Sequence, residues 1–238
     1  MRLLSQEHFS VIFEPLRGKR VSLIDGRGNA GDEIIHAATR QLLREFEVEW
    51  RTVNPFWDPI DTEVILIYGG GSMGGPWPHA NALRIAALNT GIPCVVLPQS
   101  FIKPEEMPYK KVFVRERASL SYCPTGILAP DLALGYEFPE VQPAEHERGV
   151  FLRMWHSAFP ALPKVDPCVH CHTAGQYIHF AAKYNHIITD RLHLAITMLG
   201  IGRRVTLLPS DYHKNRSMWE TWLKKLGCEW ANRPEHAA

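Results

Sequence analysis

The sequence predicts an α/β protein built on parallel sheets, and three observations carry that prediction. Short β-rich runs alternate with amphipathic helical stretches, glycine-rich or charged motifs follow several of the runs, and a polar, proline-bearing stretch interrupts the alternation. Alternating β and α elements imply mostly parallel sheets covered by helices. The interruption at 137–148 (EFPEVQPAEHER) reads as a linker between two Rossmann-like domains, 1–136 and a smaller 149–238, facing each other across a cleft. In such folds ligands bind beyond the carboxyl ends of the strands, so the loops after strands carry the search for function.

In order, residues 20–25 (RVSLID) read as a strand and 32–46 as a helix, with Ile34, Ile35, Ala38, Leu42 and Phe46 at helical spacing. Strands are expected at 48–53 and 63–68, and a helix at 79–89 closed by Gly91 and Pro93. Further strands fall at 94–97 and 111–115, with a short helix ending before Pro124. Beyond the linker the spacing predicts strands at 150–153, 186–189 and 204–208, and helices at 173–184, 191–199 and 216–226.

The 238 residues carry 26 basic and 25 acidic side chains, a balance that argues against nucleic-acid binding by bulk charge. No apolar run approaches membrane-spanning length, and the start MRLLSQEHF lacks the apolar core of a signal peptide. A cytoplasmic chain is therefore expected, and a peripheral place at the inner membrane face is compatible with it. Five cysteines, an odd number, read as reduced thiols. Cys168-Val-His-Cys171-His172 spells a haem-attachment sequence, but a cytoplasmic chain predicts no haem, and the histidines supply no second Cys-x-x-Cys to complete a zinc site. No metal and no cofactor is expected.

The first loop, Gly26 to Gly31, matches G-x-G-x-x-G between a strand and a helix, yet the next strand ends in Val53-Asn54 without the acid that would hold a ribose. What remains is a turn aiming backbone N–H groups, Asn29 and Gly31 among them, at something anionic or polar. Asp32 either complements the helix dipole or serves as a general base. The cluster Gly69 to Gly75, with Gly70, Gly71 and Ser72, is read as a ligand-facing loop, with a tight packing turn as the other reading. Gln99 and Ser100 end one strand and Arg115-Glu116 the next, as cleft-lining groups or, for the second, a structural ion pair. In Thr189-Asp190-Arg191-Leu192-His193 a strand runs into a helix capped by Asp190 or Thr189. Arg191 and His193 then lie beside the free N–H groups of the first turn, a combination suited to a carboxylate or phosphate and to proton transfer; a capping Asp with a surface Arg and a packed His is the other reading. Lys214 and Arg216 would add cations to the same rim, with a solvated basic helix start as the other reading.

The series GNAGDEIIH (28–36), GGGSMGG (69–75), LPQS (97–100), VRERAS (114–119), APDLAL (129–134), TDRLHLAI (189–196) and YHKNR (212–216) resembles the polysaccharide pyruvyl transferases, in order and in spacing. One departure is Arg153-Met-Trp-His156-Ser, where the family usually carries an acidic Arg-Asp-x-Glu-like stretch. The resemblance implies a GT-B-like pair of domains, with phosphoenolpyruvate as co-substrate and a sugar or lipid-linked oligosaccharide as acceptor. The enolpyruvyl unit would pass to two sugar hydroxyls as a ketal, in exopolysaccharide or cell-surface glycan synthesis. It implies that Arg191, Leu192 and His193 contact the donor, with Arg115, Lys214 and Arg216 as further candidates. His193 is then expected as the acid and Asp32 as the hydroxyl base, with Asn29, Gly31, Gly70, Gly71, Ser72, Gln99 and Glu116 toward the acceptor. A glycosyltransferase using a nucleotide sugar is the other enzyme class this fold would serve.

Overall fold

The computed structural model describes residues 1–26, 28–155 and 157–236. Arg27 of the first glycine loop and His156 of the departing segment lie outside the described residues. The chain divides into two compact units, one comprising residues 4–27 and 38–135, the other residues 1–3, 28–37 and 136–238. We call them the N-terminal and C-terminal units.

The N-terminal unit holds α1 (Ser10–Phe13), β1 (Arg20–Ile24) and the later part of α2 (Ala30–Glu45), followed by β2 (Glu49–Thr52), β3 (Val64–Ile67) and β4 (Gly70–Met73). After these come α3 (Pro78–Asn89), β5 (Cys94–Phe101), β6 (Lys111–Val114) and β7 (Ile127–Leu128). Strand order is β2-β1-β3-β5-β6-β7, with β4 beside β5, and every pairing is parallel. All four residues of β3 and all eight of β5 are buried; β3 and the first four residues of β5 are the continuous apolar run that a parallel strand covered on both faces needs.

The glycine cluster departs from the expected plain loop, since residues 70–73 form β4. Strand β3 pairs with the first half of β5, up to Ile67↔Val96, and β4 takes the second half, Gly70↔Gln99 and Met73↔Phe101. That explains why β5 runs to Phe101 rather than stopping at 97. The switch is made at Gly70, whose φ of 137° lies where L side chains are rarely found.

The C-terminal unit holds β8 (His146–Phe151), α4 (Ala174–Ala182), β9 (Tyr184–Thr189), α5 (Leu192–Gly200), β10 (Arg204–Leu207), α6 (Lys214–Thr221) and β11 (Glu229–Trp230). They form a parallel sheet in the order β11-β10-β9-β8. Strand β8 begins before the expected 150, so residues 146–148 of the expected linker are strand. As an edge strand it keeps five of six residues at least partly exposed, which hid it from an apolar criterion. The last helix starts at Lys214 and breaks at Trp222; a 3-10 turn, Leu223–Leu226, follows and ends at Gly227 with φ 91°. Phe151, Thr189 and Leu207 sit in one register across β8, β9 and β10. The loops that follow them, carrying Arg153, Asp190-Arg191 and Ser210, therefore leave from the same edge of the sheet, the edge where open parallel sheets bind ligands.

Candidate functional site

Within the C-terminal unit, the start of α2 packs against the start of α5. Asn29 and Asp32 form a reciprocal cap: Asn29 Oδ1 accepts from the Gly31 N–H at 2.9 Å, and Asp32 Oδ2 accepts from the Asn29 backbone N–H and Nδ2, both at 2.8 Å. Asp32 thus has a capping role at the start of α2, and one carboxylate oxygen is already engaged. Gly31 is required by proximity, because a Cβ there would lie 2.9 Å from His193 Cβ and 3.0 Å from its Nδ1. The structure brings Asn29, Gly31, Asp32 and His193 together.

The capping of α5 differs from expectation. Arg191 is the residue that precedes its first turn, and it makes no side-chain cap bond. Thr189 Oγ1 instead accepts from the Arg191 N–H at 3.0 Å while donating to the Phe151 carbonyl at 2.7 Å, and Asp190 Oδ1 accepts from the Arg153 N–H at 2.8 Å. Both side chains tie the β9 end to β8 across the sheet. Leu192, buried, opens the helix at the same point.

The Arg191 guanidinium reaches Asp166, Nε to Oδ1 at 3.0 Å and Nη2 to Oδ2 at 2.5 Å. Asp166 also accepts from the N–H groups of Met154 and Cys168. Burial would raise the Asp166 carboxyl, but the Arg191 fork and the two N–H donors win and hold it below the usual range. The same pairing keeps Arg191 protonated despite its burial. Cys168 Sγ donates to Asn29 Oδ1 at 3.3 Å and lies 3.8 Å from the Tyr177 hydroxyl. Burial pushes its thiol up against the pull of Arg191, and Tyr177, fully buried, is pushed well up for the same reason. The group at the two helix starts is therefore Asn29, Gly31, Asp166, Cys168, Tyr177, Arg191 and His193, with one fixed guanidinium–carboxylate pair at its centre.

Sequence reasoning missed Asp166, Cys168 and Tyr177 as neighbours of Arg191. Asp166-Pro167 did carry a signal, an N-cap residue followed by proline at the first position of a turn, and Asp166 does cap the short 3-10 turn Pro167–Val169. Nothing local linked it to an arginine 25 residues further on.

The remaining expected residues have partners of their own. Arg115, read as a donor contact, is buried in the N-terminal unit, where Nη1 donates to Asp131 Oδ2 at 2.7 Å and Nε to Ser100 Oγ at 2.8 Å. Glu116, also buried, accepts from Ser100 Oγ at 2.8 Å and from Ser119 Oγ. This is the structural ion-pair reading in place of the rim reading. Gln99 is fully buried, accepts from the Ser72 N–H at 3.0 Å and donates to the Tyr68 carbonyl at 2.7 Å, so it clips β4 in place instead of facing an acceptor. The cluster is braced further by Glu105, which accepts from the Gly74 N–H and from buried Arg84. Gly74, φ 64°, lies where a Cβ would meet the Lys103 carbonyl at 2.2 Å. Gly70 and Gly74 thus have packing reasons within the unit; Gly71 and Ser72 lie between them on β4. In the C-terminal unit, the Lys214 ammonium sits 5.2 Å from the Tyr212 ring centre. Arg216 donates to Glu220 at 2.6 Å and lies over the rings of Trp219 and Trp230.

Among the described residues all five cysteines are free thiols and no three His, Cys, Asp or Glu side chains gather as a metal site. No helix among them is long and apolar enough to cross a membrane.

A family model described as polysaccharide pyruvyl transferase matches residues 29–211. No curated protein matches the chain. Among solved structures, the Klebsiella pneumoniae subsp. pneumoniae NTUH-K2044 protein KP1_0663, titled a functional uncharacterized protein, superimposes with a TM-score of 0.80 at 17% identity, covering 96% of this chain and 98% of that one. At that identity the likeness speaks for the fold. An S. aureus MnaA–UDP co-structure aligns with a TM-score of 0.45 at 11% identity, over 81% of this chain and 79% of that one.

Proposed function

Because the chain belongs to the polysaccharide pyruvyl transferase family, we propose that it transfers the enolpyruvyl unit of phosphoenolpyruvate to two hydroxyls of one sugar. The product is a cyclic pyruvate ketal, and phosphate is released. The observation that carries the reading is the meeting of the α2 and α5 starts at His193, with Arg191 next to it.

Phosphoenolpyruvate is a compact anion that calls for backbone N–H groups at helix starts and a guanidinium. Asp166 engages Nε and Nη2 of Arg191 and fixes the plane of the group, and the Nη1 end is the part of the fork it does not take. That end and the first-turn N–H groups beside Leu192 would hold the anion. The methylene carbon takes a proton as the first sugar hydroxyl adds to the neighbouring carbon and loses its own. Phosphate then leaves with the C–O electron pair, and the second hydroxyl adds and gives up its proton. His193 is the group proposed to deliver the first proton, and Asp32 the one to take a hydroxyl proton. The acceptor is a free sugar or lipid-linked oligosaccharide, and the setting is cytoplasmic synthesis of an exopolysaccharide or cell-surface glycan.

The test is release of phosphate from phosphoenolpyruvate that depends on an added sugar acceptor, with mass spectrometry for the ketal. If phosphoenolpyruvate gives no thermal shift while a nucleotide sugar does, the ketal reading fails in favour of glycosyl transfer.

A further inference from the structure

Beside Arg191, at the same sheet edge, three side chains leave buried polar atoms without a partner among the described residues: Asp190 Oδ2, Asn215 Oδ1, and Nε and Nη1 of Arg153. Asp190 and Asn215 are both fully buried. They are contiguous, since Asp190 Oδ1 accepts from the Arg153 N–H at 2.8 Å and Asn215 Nδ2 donates to the Asp190 carbonyl at 2.7 Å. Asn215 Nδ2 also donates to the Leu208 carbonyl at 2.9 Å, so its amide orientation is fixed and Oδ1 is the free end. A buried donor or acceptor without a partner costs its full desolvation, and such groups persist where a ligand supplies the partner.

We infer that Arg153, Asp190 and Asn215 form a subsite for the hydroxyls of the acceptor sugar. The inference rests on the pyruvyl-transfer reading for the use of that sugar, and on the donor–acceptor mix for its chemistry. Phosphate or carboxylate would meet two acceptor oxygens with no hydrogen to offer. An ammonium group would meet the Arg153 guanidinium. A hydroxyl both donates and accepts, so neighbouring hydroxyls on one ring can donate to Asp190 Oδ2 and Asn215 Oδ1 while accepting from Arg153. Trp155, two residues after Arg153 on the same loop, is 70% exposed, a large apolar face of the kind that covers the C–H side of a pyranose. Burial raises the Asp190 carboxyl against a hydrogen bond from the Ser157 side chain, the Arg153 N–H and the charges of Arg153 and Arg191, so the carboxyl, Ser157 and both guanidinium groups share one neighbourhood.

The probes are methyl glucopyranoside, methyl galactopyranoside and methyl mannopyranoside, titrated by saturation-transfer NMR into the full chain, with a phosphoenolpyruvate thermal shift measured in parallel. The expected result is saturable binding of at least one glycoside that weakens fivefold or more in Arg153→Met and in Trp155→Ala. Both variants should keep the phosphoenolpyruvate shift. Glycoside binding unchanged in both variants overturns the subsite, as does absence of glycoside binding alongside an intact phosphoenolpyruvate shift. Glycoside binding lost in the variants of a chain that phosphoenolpyruvate does not stabilise upholds the subsite and ends the ketal reading.

Discussion

Two buried polar clusters in this molecule look alike in sequence and differ in what they leave undone. In the N-terminal unit, Arg115 meets Asp131 and Ser100, and Glu116 meets Ser100 and Ser119. In the C-terminal unit, Arg153, Asp190 and Asn215 are held in place by backbone bonds while polar atoms on each stay unpartnered among the described residues. A charged residue after a parallel strand therefore does not by itself mark a binding group. The useful distinction is whether the fold has already supplied the partners.

The largest effect expected from this comparison is on stability. Asp131→Ala leaves the Arg115 guanidinium buried with its main counter-charge gone, a change that typically costs about 3–5 kcal/mol. Urea denaturation should register that loss, and a cost under about 1 kcal/mol would mean that the cluster relaxes toward water. His193→Ala should do the reverse, leaving stability near the parent and cutting turnover by roughly 10²–10⁴-fold. Parallel phosphate-release and denaturation curves separate the two kinds of residue.

Asp32 can be divided between its roles by Asp32→Asn. Asparagine keeps an acceptor for the Asn29 cap, so a base role predicts a large fall in kcat with stability within about 0.5 kcal/mol. Unchanged kcat would assign Asp32 to capping alone. Gly31→Ala pushes a methyl group into His193 and should lower kcat by up to about 100-fold, more than it lowers stability. Equal loss of both would mean that His193 is there for packing.

The smallest effects concern pH. Burial raises the Asp190 carboxyl, so in the window between its unfolded and raised folded values the folded state binds the proton more tightly, and stability falls as pH rises. Asp190→Asn removes a charge that burial disfavours and should raise Tm relative to the parent, while weakening glycoside binding. Asp166 has the opposite sign. Its folded value is depressed, so its stabilisation is present above the unfolded carboxylate value and fades as pH falls through the folded one. Asp166→Asn should therefore flatten the acid limb of the stability curve.

Much of the fold was legible. Val64–Ile67 and Ile187–Ile188 are apolar runs that only a doubly covered strand accommodates, and the helical spacing of Ile34, Ile35, Ala38 and Leu42 survives in α2, where all four are buried. Strand β8 was legible only in part, because its outward charged residues mimic a linker, and β4 was hidden by glycines that read as a loop. For the site, the sequence picked out Asn29, Gly31, Arg191 and His193, which the structure brings together with Asp166, Cys168 and Tyr177.

The sequence by itself determined the alternation of strands and helices, the helix start at which Arg191 and His193 stand, and the family. Those features are local: periodicity, caps and motif spacing act over a few residues. Only the tertiary structure decided which charged groups are already spent. Arg115 and Asp131 are 16 residues apart, Arg191 and Asp166 are 25 apart, and Arg153 and Asp190 are 37 apart. Whether a buried charge has its partner depends on which loops leave the same sheet edge, and that is fixed by strand order and register, not by neighbours along the chain.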